Sequence, residues 1–257
     1  MTPSARAEVD RLLAEAAAEP LSGWDFSRLA GRVVSDPLPW DYAALAGEAA
    51  GRAARVLDID TGGGDVLAAL GVPRGSVALE PYAPNVPVAR ALLLPYGIEV
   101  RARTGRRLPC ASADFDLVVN RHGALDPAEI ARVLRPGGVF WTQQVGADND
   151  AELNAALGAA PVAGGLPSAA DAADQLRAAG LSVLRADDAW PQTRFLDVGA
   201  VVLHLRAVSW QVPDFDVVRH RPRLWEIDRI IRTDGAFTVT DHRLLLHAVR
   251  PSRGRLG

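Results

Sequence analysis

Lysine is missing altogether: all 28 basic side chains of this 257-residue chain are arginine. That removes Schiff-base catalysis and the phosphate-gripping lysine of a P-loop. Cysteine occurs once, as Cys110, so no internal disulfide can form. The histidines and the cysteine show no zinc spacing, and no metal is expected. Long apolar runs are lacking as well. The opening MTPSARAEVDRLLAEAAAEP scatters charges among alanines and provides neither the core of a signal sequence nor a membrane span. A cytoplasmic protein without membrane contact is the expectation. The net charge of −3 exerts no general pull on nucleic acid, although residues 216–257 hold nine arginines against five acidic residues. That local excess reads either as solvated faces of a helix and tail or as a contact to RNA phosphate.

About half of the residues are apolar, enough for one sizeable core. Before residue 53 the pattern predicts three helical pieces, 3–19, Trp24–Val34 and Asp41–Arg52, jointed at Pro20-Leu21-Ser22-Gly23 and Asp36-Pro37-Leu38-Pro39. From residue 54 short β-branched runs alternate with amphipathic stretches, as in βαβ units over a mainly parallel sheet. Strands are predicted at 54–60, 75–80, 98–103, 114–119 and 137–145, a sixth at Leu181–Leu184 and a seventh at Asp241–Val249. Asp126-Pro127-Ala128-Glu129 and Ser168-Ala169-Ala170-Asp171 both read as helix starts. About fifty residues, helical near 197–208 and 214–232, separate strands six and seven, too long and apolar for an ordinary connection.

The first strand, Val56-Leu57-Asp58-Ile59-Asp60, runs into Thr61-Gly62-Gly63-Gly64 and then a helix. Such a turn exposes backbone at the carboxyl edge of the sheet, where open α/β sheets bind ligands. A dinucleotide fingerprint would place a third glycine at position 67, which is Leu67; a nicotinamide cofactor is therefore disfavoured. Glu80 ends the second strand, 22 residues after Asp58, and a carboxylate there can accept hydrogen bonds from both hydroxyls of a ribose.

VLDIDTGGGD resembles the first motif of the class I S-adenosylmethionine-dependent methyltransferases, D-x-G-x-G-x-G, through Asp58, Gly62 and Gly64, with Asp60 in place of the first glycine. LPCASADFDLVV and EIARVLRPGGVF resemble the adenine-covering loop, fourth strand, helix and fifth strand of its small-molecule and nucleoside-modifying members, so the resemblance spans residues 54–145. It implies an α/β fold with a seven-stranded, mostly parallel Rossmann-like sheet and helices on both faces. The organisation it implies is an N-terminal helical lid (1–52), a cofactor-binding core (53–190), a helical cap insertion (191–235), and the final strand and tail (236–257).

The implied function is transfer of a methyl group from S-adenosylmethionine to a small-molecule acceptor. The alternatives are an RNA base methyltransferase and a noncatalytic S-adenosylmethionine-binding regulatory protein. Cofactor-binding residues would be Asp58, Asp60, Thr61, Gly62, Gly63, Gly64, Glu80, Pro81, Arg106, Arg107, Asn120 and Arg121. In this scheme the Asp60 carboxylate pairs with the cofactor's ammonium group. His122 is either a general base or a loop-orienting histidine. Trp40, Tyr42, Gln143 and Trp210 are candidate substrate contacts, with Trp24 and Trp225 completing an aromatic lid or ordinary packing. Cys110 reads as loop packing rather than a nucleophile.

Overall fold

The computed structural model describes residues 3–20, 26–162 and 165–252. In chain order its elements begin with α1 (Pro3–Ala18), β1 (Val33–Ser35), α2 (Tyr42–Ala50), β2 (Val56–Ile59), α3 (Asp65–Ala69), β3 (Val77–Glu80) and α4 (Asn85–Leu93). They continue with β4 (Glu99–Ala102), β5 (Phe115–Arg121), α5 (Pro127–Val133), β6 (Leu134–Val145), α6 (Ala151–Leu157) and α7 (Ala169–Ala178). The last are β7 (Ser182–Ala189), β8 (Gln192–Phe195), α8 (Val198–Ala207), α9 (Val217–Asp234), β9 (Phe237–Thr240) and β10 (Arg243–Val249).

These elements form two compact units, each drawn from three stretches of chain. One comprises residues 39–146, 166–188 and 243–257 and carries a seven-stranded sheet in the order β4-β3-β2-β5-β6-β10-β7. The pairs β3/β4, β2/β3, β2/β5 and β5/β6 are parallel, and β10 runs antiparallel to β6. Every residue of β2 and β3 is buried, as expected for central parallel strands covered on both faces. Leu57, Ile59, Val77, Leu79, Phe115, Val118 and Phe140 belong to its core. Helix α5 starts as its sequence dictates: Asp126 accepts from the Glu129 N–H, and Pro127 occupies the first turn. The Glu129 carboxylate reaches away from the cap and accepts from the Leu108 N–H and from Arg132. Ser168 caps α7 by accepting from the Asp171 N–H.

The other unit comprises residues 1–38, 147–165 and 189–242. Helices α1, α6, α8 and α9 pack on one another around Leu13, Leu153, Val201 and Leu224, beside an antiparallel sheet in the order β1-β8-β9. This sheet departs from the expected pattern in three places. The helix predicted over Trp24–Val34 is a single 3₁₀ turn, Ser27–Leu29, followed by β1. Gly31, at φ 73°, breaks the turn, and Val33 and Val34 then pair with Phe195 and Arg194. Residues 21–25, including Trp24, lie outside the described residues. The stretch after residue 191 carries helices at both places the pattern predicts, but it also contributes β8, and β9 precedes the seventh strand of the large sheet. Among the described residues no helix is long and apolar enough to cross a membrane.

Candidate cofactor and acceptor site

The carboxyl ends of β2, β3, β4 and β5 gather the residues singled out by the motifs. β2 ends in a turn in which Asp60, Gly62 and Gly64 all have positive φ (61°, 64° and 93°). This left-handed geometry is cheap for glycine and costs an ordinary residue roughly 1–2 kcal/mol, so Asp60 is held there by its contacts. Its carboxylate receives Arg103 at 2.7 and 3.0 Å and the Ala124 N–H at 2.9 Å. Both members of the ion pair are almost completely buried, at 10 and 14% exposure of their side chains. Gly123 makes the room: a Cβ there would stand 2.6 Å from the Asp60 Cβ.

Glu80 is 3% exposed and bridges two loops. The Gly62 N–H donates to its Oε2 and the Tyr82 N–H to its Oε1, each at 2.7 Å. Burial raises its pKa above the ordinary carboxylate value, and the two backbone amides oppose that shift. Asp58 is buried as well, and burial, followed by the like charges of Asp60 and Glu80, raises its carboxyl to about 7 against the pull of the Thr61 hydroxyl. Three carboxylates therefore surround one turn, with the single guanidinium of Arg103 reaching in among them.

The elevated Asp58 carboxyl has a thermodynamic consequence. An acid whose folded pKa lies above its unfolded value stabilises the fold fully below the unfolded value and loses that contribution as pH rises through the folded one. Asp58→Asn is expected to gain stability relative to the parent chain between pH 5 and pH 8, by on the order of 1 kcal/mol or 2–4 °C in melting temperature. Equal melting differences at the two pH values would contradict a raised Asp58.

Between these loops lies a cavity of about 150 Å³ lined by Ile59, Arg103, Arg106, Leu108 and Leu125, with Asp126 and Ile130 behind. Ligand pockets commonly enclose about 300–1,000 Å³; with Arg103 in place this one takes only part of such a ligand. Arg106 pairs with Asp126 at 3.3 Å and is otherwise exposed, and Pro81, Arg107 and Arg121 are exposed. Asn120 is fully buried and works on the loop itself: it accepts from the Gly123 N–H and donates to the Ala124 carbonyl.

At the end of β5, His122 has φ 64° and donates its backbone N–H to the Gln143 carbonyl. Its Nε2 lies 3.1 Å from Gln143 Nε2, while Gln143 Oε1 accepts from the Trp40 indole N–H at 2.9 Å. Trp40 and Tyr42, expected at a substrate, are 8 and 6% exposed. Burial, then the neighbouring Asp58, raises the Tyr42 phenol above its ordinary value. Trp210 and Trp225 belong to the other unit, where the Trp225 N–H donates to Asp10. Cys110 packs against the core of the large sheet, and burial pushes its thiol upward, away from nucleophile chemistry.

Sequence reasoning missed Arg103, Gly123 and the link from Trp40 to His122. The available signal for the first was Asp60 itself, since an acid in a glycine position at a buried sheet edge requires a cation.

The fold that carries this site is a Rossmann-like α/β fold that it shares with solved structures named as methyltransferases. No protein-family model and no curated protein sequence matches the chain. Among solved structures, a candidate methyltransferase from Bacillus halodurans is 20% identical with a TM-score of 0.60, the match covering 82% of this chain and 99% of that one. A candidate sarcosine dimethylglycine methyltransferase from Galdieria sulphuraria is 16% identical with a TM-score of 0.50, covering 81% of this chain and 82% of the other. The [4+2]-cyclase SpnF is 17% identical with a TM-score of 0.56, covering 95 and 93%. At these identities the likeness is one of fold, and its members' names include a cyclase beside methyltransferases.

Proposed function

We propose that this chain is an S-adenosylmethionine-dependent methyltransferase acting on a small-molecule acceptor. The observation that carries the reading is the pairing of the turn at Asp58–Gly64 with Glu80, a buried carboxylate fixed to that turn through the Gly62 N–H. The donor set suits the cofactor. Asp60 and Glu80 against Arg103, with an Asp58 carboxyl that is only partly ionised near neutral pH, leave an excess of negative charge for an ammonium or sulfonium group, and Glu80 is placed for a ribose diol. Ile59, Leu108, Leu125 and Ile130 offer apolar walls to a flat ring. Thr61, Gly62, Gly63 and Gly64 present backbone without bulky side chains.

When bound, the cofactor supplies a methyl group on a cationic sulfur. Held against the Asp58–Gly64 turn and Glu80, it would supply that methyl to a nucleophilic atom of the acceptor, the carbon–sulfur bonding pair staying with sulfur. What the protein contributes is alignment and exclusion of water. A small acceptor is favoured over RNA because arginines of the basic C-terminal region are already paired: Arg229 with Glu226, Arg232 with Asp228 and Glu8, Arg221 with Asp10.

The test is calorimetry with S-adenosylmethionine and S-adenosylhomocysteine, followed by transfer of labelled methyl into small-metabolite and RNA fractions. Binding with label in the small-metabolite fraction is expected. Label in RNA alone would replace the acceptor class, binding without any transfer would make the protein a noncatalytic binder, and no binding would end the proposal.

A further inference from the structure

The link from the buried Trp40 through the buried Gln143 to the exposed His122 fixes a chemical property of the imidazole. An indole N–H can only donate, so the Gln143 oxygen must face Trp40, at 2.9 Å, and the amide NH₂ must face His122. An NH₂ group has no lone pair to offer. The ring nitrogen it meets at 3.1 Å, Nε2, must therefore be the acceptor, and the proton of the neutral ring sits on Nδ1.

Turning the amide over does not escape this logic, because it would set the indole N–H against an NH₂. Both Trp40 and Gln143 are buried, and a buried donor without a partner costs about 1–3 kcal/mol. The register of β5 and β6, with Arg121 opposite Gln143, and the His122 N–H to Gln143 carbonyl bond at 2.8 Å hold the two residues together through the backbone. His122 is kept at φ 64° by the same contacts, and backbone strain of this kind is characteristic of functional sites.

We propose that the Trp40–Gln143–His122 relay locks His122 as a neutral Nδ1–H hydrogen-bond donor toward an oxygen of the acceptor molecule, and so withholds it from service as a general base. The inference rests on the methyltransferase reading for its substrate. It replaces the base expected at His122 with a group that recognises an acceptor bearing a carbonyl, carboxylate or hydroxyl oxygen. His122 would touch that molecule; Gln143 and Trp40 are positioning residues.

The surrounding charges agree. Crowding by protein, then the positive charges of Arg121 on its own strand and Arg243 at the start of β10, lower the imidazole's pKa below its ordinary value, and because His122 is exposed, water screens and moderates that shift. Tyr42, from the start of α2, stays protonated and adds no negative charge. Protonating His122 would also drive an Nε2–H against the Gln143 NH₂.

The experiment is long-range ¹H–¹⁵N correlation on the full-length ¹⁵N-labelled chain, whose five histidines are distinguished by the signal lost in His122→Gln. At pH 7 the parent chain is expected to show His122 with a protonated Nδ1 and a bare Nε2, with no titration down to pH 6. Gln143→Glu gives the relay an acceptor on both sides and is expected to move the proton to Nε2 and raise the ring's proton affinity at least tenfold. Trp40→Phe frees the amide to turn and is expected to yield a mixture of tautomers. A parent spectrum showing Nε2–H, a mixture, or a ring titrating at its ordinary pH overturns the proposal even if no variant folds. A rate that rises through the imidazole range and loses that step in His122→Gln overturns it too. The spectra require neither cofactor nor turnover, so their failure leaves the methyl-transfer test untouched, and the converse holds.

Discussion

Replacing Glu80 with alanine is expected to weaken S-adenosylmethionine binding by about 100-fold in calorimetry, equivalent to ~3 kcal/mol for a charge-assisted pair of hydrogen bonds. The side chain is buried, and both carboxylate oxygens are held at 2.7 Å by amides from loops following two different strands. A ribose diol could exchange for those amides without reorganising the side chain. Alanine removes the acceptor and unties the turn at Gly62 from the turn at Tyr82. Glu80→Gln keeps the shape and one acceptor oxygen but sets its NH₂ against one of the two backbone N–H groups, and a loss of about tenfold is expected from it. Circular dichroism at the binding temperature separates lost affinity from lost fold. Affinity within threefold of the parent for a folded Glu80→Ala chain would remove Glu80 from the cofactor site.

Arg103→Ala is expected to cost about 3–5 kcal/mol of stability near pH 8, because it strands a buried carboxylate that had a cation as its partner. Asp60 would then face Asp58 and Glu80 with only the Ala124 N–H to satisfy it. For a chain of this size each kcal/mol corresponds to roughly 2–4 °C in melting temperature. Adding Asp60→Gly to Arg103→Ala should recover most of the loss. It removes the stranded charge and places glycine where φ is 61°. The pair of substitutions is therefore expected to be strongly non-additive, which a double-mutant cycle reads directly. Additive losses would show that the two side chains do not depend on each other. Opening the 150 Å³ cavity by the same double substitution also provides a chain in which the cofactor cleft lacks its central ion pair.

The large sheet was readable from the sequence because its signals are local. Val56–Ile59, Val77–Glu80 and Phe115–Arg121 are short apolar runs that end at or beside acidic or polar residues, and central parallel strands have few other ways to look. The Asp58–Gly64 turn and Glu80 were legible for the same reason. The small sheet was not. Its strands are three or four residues long and come from positions 33–35, 192–195 and 237–240, so no single window carries the pattern. Val33–Ser35 then passes for the end of a helix until its partner is known.

Arg103 was hidden by abundance. In a chain whose every basic residue is arginine, nothing marks the one that returns 43 positions to Asp60. The tautomer of His122 was beyond reach because it depends on the register that brings Gln143 beside it, and on the buried indole of Trp40 behind the amide.

The position of β10 between β6 and β7 constrains how this molecule can be made. Its residues, 243–249, leave the ribosome after everything else in the two sheets, so the nascent chain carries β6 and β7 with their shared neighbour still missing. Residues 190–242, which separate β7 from β10, supply about half of the other unit and must emerge meanwhile. The other unit is complete in sequence by residue 242 while the large sheet still lacks β10, and a stalled or prematurely terminated product would expose two unpaired strand edges, the kind of surface on which chains aggregate.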